Sequence, residues 1–337
     1  MNLHQFSIFL KKLSFKKILN AIILYVNYFI SKTFKLSIRK AFPVGISIEP
    51  TSICNLKCPQ CPTGREELNR YNGNIDIDLF KIITDECAPY LLNLILYFQG
   101  EPYLNKNIFE MIDYASKKKN IFTTTSTNGH FLNEENVKKT IDSGLDKLII
   151  SVDGTDQETY EKYRKKGKLE DVITGIKTLV SYKEKVNSKK PIIVLQFLVF
   201  KFNEHQIDNI KSLSKELGVD KLELKSAQIY DFENNSELIP TIDKYSRYKK
   251  DINGNFQIKS KLKNKCKRMW ESAVITNTGD LLHCCFDKDA SYTYGNLKNS
   301  SFKKLNNSEK AIDFRAKLFH SRKQIYICKN CTEGLRK

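Results

Sequence analysis

The sequence predicts an α/β fold in which six β/α repeats form a partial (β/α)6 TIM-like barrel, followed by a small cysteine-bearing C-terminal domain. Two observations support this prediction. Strand-like and helix-like segments alternate from Gly45 to about Ala227, which is typical of parallel strands joined by crossover helices. Cysteine and polar motifs also follow directly after four of these strands, and active-site residues of such barrels collect at the carboxyl ends of strands.

The predicted elements follow from residue pattern. The strands are short apolar or β-branched runs at Ile46–Glu49, Leu94–Phe98, Phe122–Ser126, Lys147–Val152, Ile192–Phe200 and Lys221–Lys225. The helices repeat apolar residues at helical spacing at Leu79–Tyr90, Ile108–Lys118, Glu134–Ser143, Leu169–Lys185 and Gln206–Leu217. Around them the sequence suggests an N-terminal amphipathic helical segment (1–44), the barrel core (45–230), a polar linker (231–265) and the second domain (266–337).

Length and composition place the chain among globular proteins. Its 337 residues suffice for one large and one smaller domain, and its 41% apolar and 28% charged content is ordinary. The net charge of +18 comes from lysines spread along the whole chain, so we expect no nucleic-acid partner. An acidic substrate or an anionic membrane surface is compatible with this charge.

The N-terminal segment resembles a signal peptide only in part. The apolar run from Ile18 to Ile30 follows four lysines, but no small-residue cleavage site comes after it. Only 14 residues separate Lys17 from Lys32, fewer than the roughly 20 that span a bilayer. The helical spacing of its apolar residues leaves two alternatives, a helix packed on the main domain or a lysine-flanked helix lying on a membrane surface.

Cys54, Cys58 and Cys61 place three thiols within eight residues directly after the first predicted strand. A closed structural zinc site needs four protein ligands, and so does an iron–sulfur cube held entirely by protein. Three thiolates therefore leave one metal position open, where a small molecule can bind and react.

The motifs after the other strands complete a pattern. Gly100-Glu101-Pro102 follows the second strand, Asn128 the third, and Ser151 and Asp153 close the fourth. Together with the Cys-x3-Cys-x2-Cys triad, they resemble the motifs of radical S-adenosylmethionine enzymes. The resemblance implies a [4Fe–4S] cluster on the triad, with S-adenosylmethionine chelating the open iron. Reductive cleavage of this cosubstrate would give methionine and a 5′-deoxyadenosyl radical that removes a hydrogen atom from substrate.

The resemblance also implies which residues contact the cosubstrate: Gly100, Glu101, Pro102, Asn128, Ser151, Asp153 and Arg164. The Gly-Glu-Pro segment would contact the methionyl amino group, the next three residues would hydrogen-bond the ribose or carboxylate, and the arginine could pair with a carboxylate. Gln60 departs from the family, where the position before the third cysteine is often aromatic and close to the adenine.

A second cysteine group lies at Cys266, Cys284, Cys328 and Cys331. Its spacing resembles the SPASM extension, which carries auxiliary iron–sulfur clusters. Because only six residues follow Cys331, the shortened twitch type with one auxiliary [4Fe–4S] cluster is expected. Cys285 competes with Cys284 for the ligand position, and a zinc site is the alternative for the group. Cys87, on an apolar helix, is expected in the core.

The leading hypothesis is therefore a cytoplasmic radical S-adenosylmethionine oxidoreductase with a flavodoxin- or ferredoxin-like electron donor. Peripheral membrane contact through the N-terminal helix is left open. Its substrate is a small alcohol or sugar, slightly favoured, or a peptide. The alternative of another class is a non-catalytic metal-binding protein that binds nucleic acid. No spacing singles out a catalytic acid or base among His283, Asp287 and Asp289.

Overall fold

The computed structural model describes residues 3–332. The chain divides into two compact units, the first made of residues 3–53, 68–124 and 261–332, and the second of residues 54–67 and 125–260. This division differs from the four segments suggested by the sequence, which stay a prediction.

The elements alternate along the chain as the sequence pattern indicates. The strands are β1 (Gly45–Ile48), β2 (Asn93–Ile95), β3 (Phe122–Thr127), β4 (Lys147–Ser151), β5 (Ile192–Val199), β6 (Lys221–Ser226), β7 (Tyr248–Lys250), β8 (Phe256–Ile258), β9 (Ser272–Ile275), β10 (Asp280–Leu282) and β11 (Thr293–Asn296). The α-helices are α1 (Leu3–Leu10), α2 (Phe15–Phe34), α3 (Ile77–Cys87), α4 (Ile108–Asp113), α5 (Glu134–Asp142), α6 (Gln157–Tyr163), α7 (Leu169–Lys185), α8 (Ile207–Glu216), α9 (Arg268–Glu271), α10 (Phe302–Asn306) and α11 (Glu309–Ser321).

The first unit contains a mixed sheet in the order β11-β10-β9-β1-β2-β3. Strand β1 pairs in parallel with both β2 and β9, and β2 pairs in parallel with β3. Strands β9, β10 and β11 are joined by antiparallel pairing. The parallel partner β9 was not foreseen in the sequence, because its apolar run lies beyond the predicted repeats.

The second unit continues the β/α pattern. Strand β4 pairs in parallel with β5, and β5 with β6. The first residues of β5 are buried in succession, which is typical of a parallel strand covered on both faces. Strands β7 and β8 form a hairpin within the segment predicted to be a linker. All six predicted strands occur in the two units, although β2 ends at Ile95 rather than at the predicted Phe98.

Helix α2 packs on the first unit through its polar side. Lys17, Asn20, Asn27 and Ser31 are buried, whereas most apolar residues of the helix are exposed. The reason lies in the extended segment 36–42. It belongs to no strand, and backbone groups of Ile38, Lys40 and Phe42 hydrogen-bond instead to polar side chains of α2. No helix in residues 3–332 is long and apolar enough to cross a membrane.

Candidate metal centres

The front cysteine loop, residues 54–61, belongs to the second unit. Cys58 is buried, and Cys54 and Cys61 are half-buried. All three pack against an apolar cluster that includes Tyr163 and Phe200. The Cys54 Sγ atom accepts a hydrogen bond from the backbone N–H of the second residue after it at 3.5 Å, and the Cys61 N–H donates to the Cys58 carbonyl at 3.1 Å. These hydrogen bonds make the loop turn tightly, and its three cysteines pack against the same apolar cluster.

Electrostatics at this loop favour a bound cation. Burial raises the pKa of the Cys58 thiol to about 11, with Cys61 and Asp153 adding to the rise, while Arg164 opposes it. The Arg164 Nη1 atom lies 3.9 Å from the Cys58 Sγ atom. Thiolates that are buried away from water need compensating positive charge, and the irons of a cluster would supply it. Among residues 3–332, no group of three or more His, Cys, Asp or Glu side chains could hold a single metal ion.

Asp153 fixes the position of Arg164. The guanidinium Nε donates to Asp153 Oδ2 at 2.6 Å, and the backbone N–H of Leu198 donates to Oδ1 at 2.7 Å. The carboxyl is fully buried, and burial raises its pKa against the lowering effect of Arg164. Both oxygens of Asp153 are therefore used within the protein, and the side chain acts on the cysteine loop through Arg164.

Asn128 connects the loop after β3 to the cysteine loop. Its Nδ2 donates to Asn55 Oδ1 at 2.7 Å. Its Oδ1 lies 3.0 Å from Nδ1 of His130, and the backbone N–H of Lys168 donates to His130 Nε2 at 2.9 Å. The imidazole is therefore neutral with its proton on Nδ1, in line with the lowered pKa that burial gives it. Ser151 is buried at the end of β4.

The Gly-Glu-Pro turn lies in the first unit, where it packs on the residues that lead into the cysteine loop. Gly100 has φ +70°, and a Cβ atom there would stand 2.4 Å from the carbonyl oxygen of Thr51. The Glu101 N–H donates to the Ile53 carbonyl at 2.8 Å, and Glu101 Oε1 accepts from the Tyr103 N–H at 3.2 Å. Glycine is thus required for the close approach of the two chain segments.

Sequence reasoning missed a buried ion pair in the first unit. Arg70 contacts both carboxylate oxygens of Glu49, at 2.6 and 2.7 Å. The same carboxylate accepts backbone N–H groups of Gln99 at 3.2 Å and Asn277 at 2.9 Å. Glu49 therefore joins the ends of β1 and β2 to the β9–β10 turn. The only sequence signal was its position at the end of β1.

Gln60 has a structural role in the second unit. Its side chain is buried, and its Oε1 accepts a hydrogen bond from the backbone N–H of Tyr230 at 3.0 Å. It thereby attaches the front loop to the chain that follows β6.

The rear cysteine group lies in the first unit. Cys266 and Cys328 are buried in an apolar cluster around Trp270, and Cys284 packs against the same cluster. Arg322, fully buried, donates to the Sγ atom of Cys331 at 3.6 Å. Burial raises the pKa of Cys266 and of Cys328, and the positive charge of Arg322 opposes that rise. Three separate segments thus bring four thiols and one guanidinium together, a donor set that fits an iron–sulfur cluster.

Cys285 lies differently from Cys284. It lines a cavity of about 440 Å³ in the first unit, together with the charged side chains of Arg268, Glu271 and Lys288. The Cys284 thiol instead has its pKa raised well above the usual value, first by a hydrogen bond with Cys285 and by burial, and further by Cys266.

The other residues singled out in the sequence are held by packing or by hydrogen bonds within the protein. Cys87 is fully buried, as predicted. His283 is sandwiched between aromatic rings, and burial, together with Arg315 and Arg39, lowers its pKa to about 2. Asp287 and Asp289 both accept hydrogen bonds from backbone N–H groups. His283 is therefore neutral and does not supply a proton at ordinary pH.

Two family models match the chain. The radical SAM superfamily matches residues 48–213, and an iron–sulfur cluster-binding domain matches residues 266–332. The chain is 27% identical over 316 residues to the tungsten-containing aldehyde ferredoxin oxidoreductase cofactor-modifying protein of Pyrococcus furiosus, over 85% of this chain and 86% of that protein. It is 26% identical over 209 residues to a PqqA peptide cyclase of Bradyrhizobium diazoefficiens, over 59% of this chain and 51% of the cyclase. The chain thus spans about half the length of that cyclase.

Solved structures share the fold. BtrN in complex with AdoMet and 2-DOIA has a TM-score of 0.54 at 18% identity, over 88% of this chain and 95% of BtrN. Streptococcus suis SuiB bound to precursor peptide SuiA has a TM-score of 0.63 at 15% identity, over 90% of this chain and 73% of SuiB. At these identities the likeness concerns the fold, and it confirms the α/β class predicted from the sequence.

Proposed function

Because the chain belongs to the radical S-adenosylmethionine superfamily and carries an iron–sulfur cluster-binding domain at residues 266–332, we propose that it is an oxidoreductase that abstracts hydrogen from an organic substrate. Membership of this superfamily implies a [4Fe–4S] cluster that binds S-adenosylmethionine. The C-terminal domain implies auxiliary iron–sulfur binding. The observation that carries the proposal is the second-unit cluster of three loop thiols with Arg164 beside Cys58.

Cys54, Cys58 and Cys61 are the proposed holders of the catalytic cluster. When bound and reduced, this cluster supplies the electron that cleaves S-adenosylmethionine and so generates the hydrogen-abstracting radical. Arg164 offsets the negative charge that collects on the buried thiolates, and Asp153 keeps the guanidinium in place. Asn128 holds the adjoining loop against Asn55, next to the first cysteine.

The Gly-Glu-Pro turn is the proposed contact for the methionyl amino group. Gly100 permits the close backbone approach, and Pro102 begins a short 3-10 helix that stiffens the turn. The buried carboxylate of Glu101 and the backbone carbonyls of the turn are suitable acceptors for an ammonium group.

Cys266, Cys284, Cys328 and Cys331 are the proposed ligands of the auxiliary cluster. The place of Cys284 against the Cys266 and Cys328 cluster supports it over Cys285, which lines the neighbouring cavity. The match to an iron–sulfur domain supports iron over zinc at this group. The cluster would accept the second electron of the oxidation or hold the substrate, and a flavodoxin- or ferredoxin-like protein would supply the first electron.

The comparisons bear on the substrate class. The sequence slightly favoured a small alcohol or sugar, but a PqqA peptide cyclase is among the relatives and SuiB binds a precursor peptide. A peptide substrate is therefore at least as well supported. The cavity lined by Arg268, Glu271 and Lys288 offers charges of both signs, which suit either a peptide or a polar small molecule.

The test is anaerobic reconstitution of the full chain with iron and sulfide. We expect about eight irons per chain, from two four-iron clusters, and 5′-deoxyadenosine formation under strong reductant. Reconstituted protein that forms no 5′-deoxyadenosine would refute the proposal. Two sets of substrates then separate the classes: short peptides encoded beside the gene, and a panel of sugar alcohols. Each is offered with deuterium at all of its carbon-bound positions, and the true substrate is the one that transfers deuterium into 5′-deoxyadenosine.

A further inference from the structure

Helix α2 exposes an apolar face. This face, here called the α2 apolar face, consists of Phe15, Ile18, Leu19, Ile22, Val26 and Phe29. The exposed fraction of these side chains ranges from 44% to 80%. Their spacing places them along one side of a 20-residue helix, about 30 Å long, so they form a continuous strip rather than scattered contacts.

The polar face of α2 is fixed to the first unit, so the apolar face cannot turn inward at low cost. Asn20 exchanges two hydrogen bonds with the backbone of Phe42, each 3.0 Å long. Ser31 does the same with the backbone of Ile38, also at 3.0 Å, and the Lys17 Nζ donates to the Asn120 carbonyl at 2.7 Å. Rotating the helix would leave these backbone groups without partners, which is costly when they are buried.

Charge indicates what covers the strip. Residues 1–48 contain eight lysines and arginines and no aspartate or glutamate. Lys11 and Lys16 are exposed at the start of α2, and Lys32 and Lys35 at its end. A second copy of this chain would bring the same positive charge against itself, and like charges across an interface are unfavourable. An apolar strip with lysines at both ends instead suits lipid tails beneath anionic headgroups.

We propose that the α2 apolar face docks this protein on an anionic lipid surface, with α2 lying in the plane of the interface. The strip enters the boundary between headgroups and acyl chains, and the terminal lysines contact the headgroups. The docking is peripheral, in keeping with the absence of a membrane-spanning helix among residues 3–332. It is independent of the proposed chemistry, because none of the cysteine ligands or cosubstrate contacts lies on this face.

The experiment is cosedimentation of the full chain with two kinds of vesicle, pure phosphatidylcholine and phosphatidylcholine containing about 30% phosphatidylglycerol. We expect binding to the anionic vesicles to exceed binding to the neutral ones by about tenfold, and to fall when salt rises from about 0.1 M to about 0.5 M. Ile22→Asp should weaken binding to the anionic vesicles by about tenfold. The matched control is Ile252→Asp, which puts the same charge on another exposed isoleucine and should leave binding unchanged.

Three results would overturn the proposal. One is equal binding to neutral and anionic vesicles. Another is an equal loss of binding in the Ile22 and Ile252 variants, which would point to net charge alone. The third is a dimer in light scattering that Ile22→Asp dissociates, since a second copy would then cover the strip. Melting temperature and vesicle-free 5′-deoxyadenosine formation should be the same in both variants, so loss of fold cannot imitate loss of docking.

Discussion

The two cysteine groups are built in opposite ways. The front group takes three thiols from one loop of eight residues, with two of them half-buried. The rear group takes four thiols from three segments of the chain, and Cys266, Cys328 and Cys331 are buried. A site on one loop depends on its own turn, whereas a site gathered from distant segments depends on the fold around it. We therefore expect ligand loss to remove chemistry at the front and stability at the rear.

The largest effect should follow Cys58→Ala. The variant should lose about four of the irons and reduce 5′-deoxyadenosine formation by at least about a thousandfold, because it removes one of the three thiolates proposed to hold the cluster. Its melting temperature should change little, since the loop is short and local. Iron analysis, chromatography of the nucleoside and thermal unfolding measure the three quantities.

Cys87→Ala is the matched control, because it removes a fully buried thiol that lies on α3. It should cost about 1 kcal/mol of stability and keep both the iron and the cleavage activity. If it lost iron as Cys58→Ala does, cysteine deletion itself would be disrupting the protein, and the comparison of the two groups would fail.

The next effect should follow Cys328→Ala at the rear group. We expect the variant to lose about four irons, those of the auxiliary cluster, and to melt about 5–10 °C lower. The reason is that the cluster joins three segments of the chain. Cleavage of S-adenosylmethionine should persist, whereas turnover of substrate should stop. Cys284→Ala should behave in the same way and Cys285→Ala should not. The reverse order for these two variants would exchange their proposed roles.

Two buried ion pairs allow a similar comparison. Asp153→Asn leaves Arg164 without its carboxylate, and Glu49→Gln does the same to Arg70. Each should lower the free energy of unfolding by about 3–5 kcal/mol, the usual cost of breaking a buried pair. Only Asp153→Asn should also shift the midpoint potential of the front cluster, because Arg164 is the arginine of these two pairs that lies beside Cys58. Equal shifts in both variants, measured by redox titration, would show that general loosening is the cause.

Local features were predictable from the sequence. The strands of the β/α repeats and the spacing of the front cysteines lie within short stretches, so pattern alone locates them. Features that depend on contacts between distant segments of the chain were not predictable from the sequence. Glu49 meets Arg70 and Asn277 only in the folded sheet. Which face of α2 packs on the first unit was not predictable either, because its partner is the backbone of residues 36–42, which hydrogen-bonds to polar side chains of the helix.

The smallest effect concerns the Gly-Glu-Pro turn, which packs against the residues leading into the front loop. Gly100→Ala should cost about 2 kcal/mol, because its φ is positive and its Cβ atom would meet the Thr51 carbonyl oxygen at 2.4 Å. The displaced backbone of residues 51–53 leads directly into Cys54, so 5′-deoxyadenosine formation should fall about tenfold while the rear cluster keeps its iron.

Gly254→Ala separates steric displacement from backbone strain. Gly254 also has a positive φ, +83°, but a Cβ atom there would meet nothing within 4 Å. It should cost only about 1 kcal/mol and leave cleavage unchanged. If the two variants reduced cleavage equally, backbone strain alone would account for the effect. The contact of the Gly-Glu-Pro turn with residues 51–53 would then not be what positions the front loop. If Gly100→Ala instead lost the rear iron, the two cysteine groups would depend on one another more than their construction indicates.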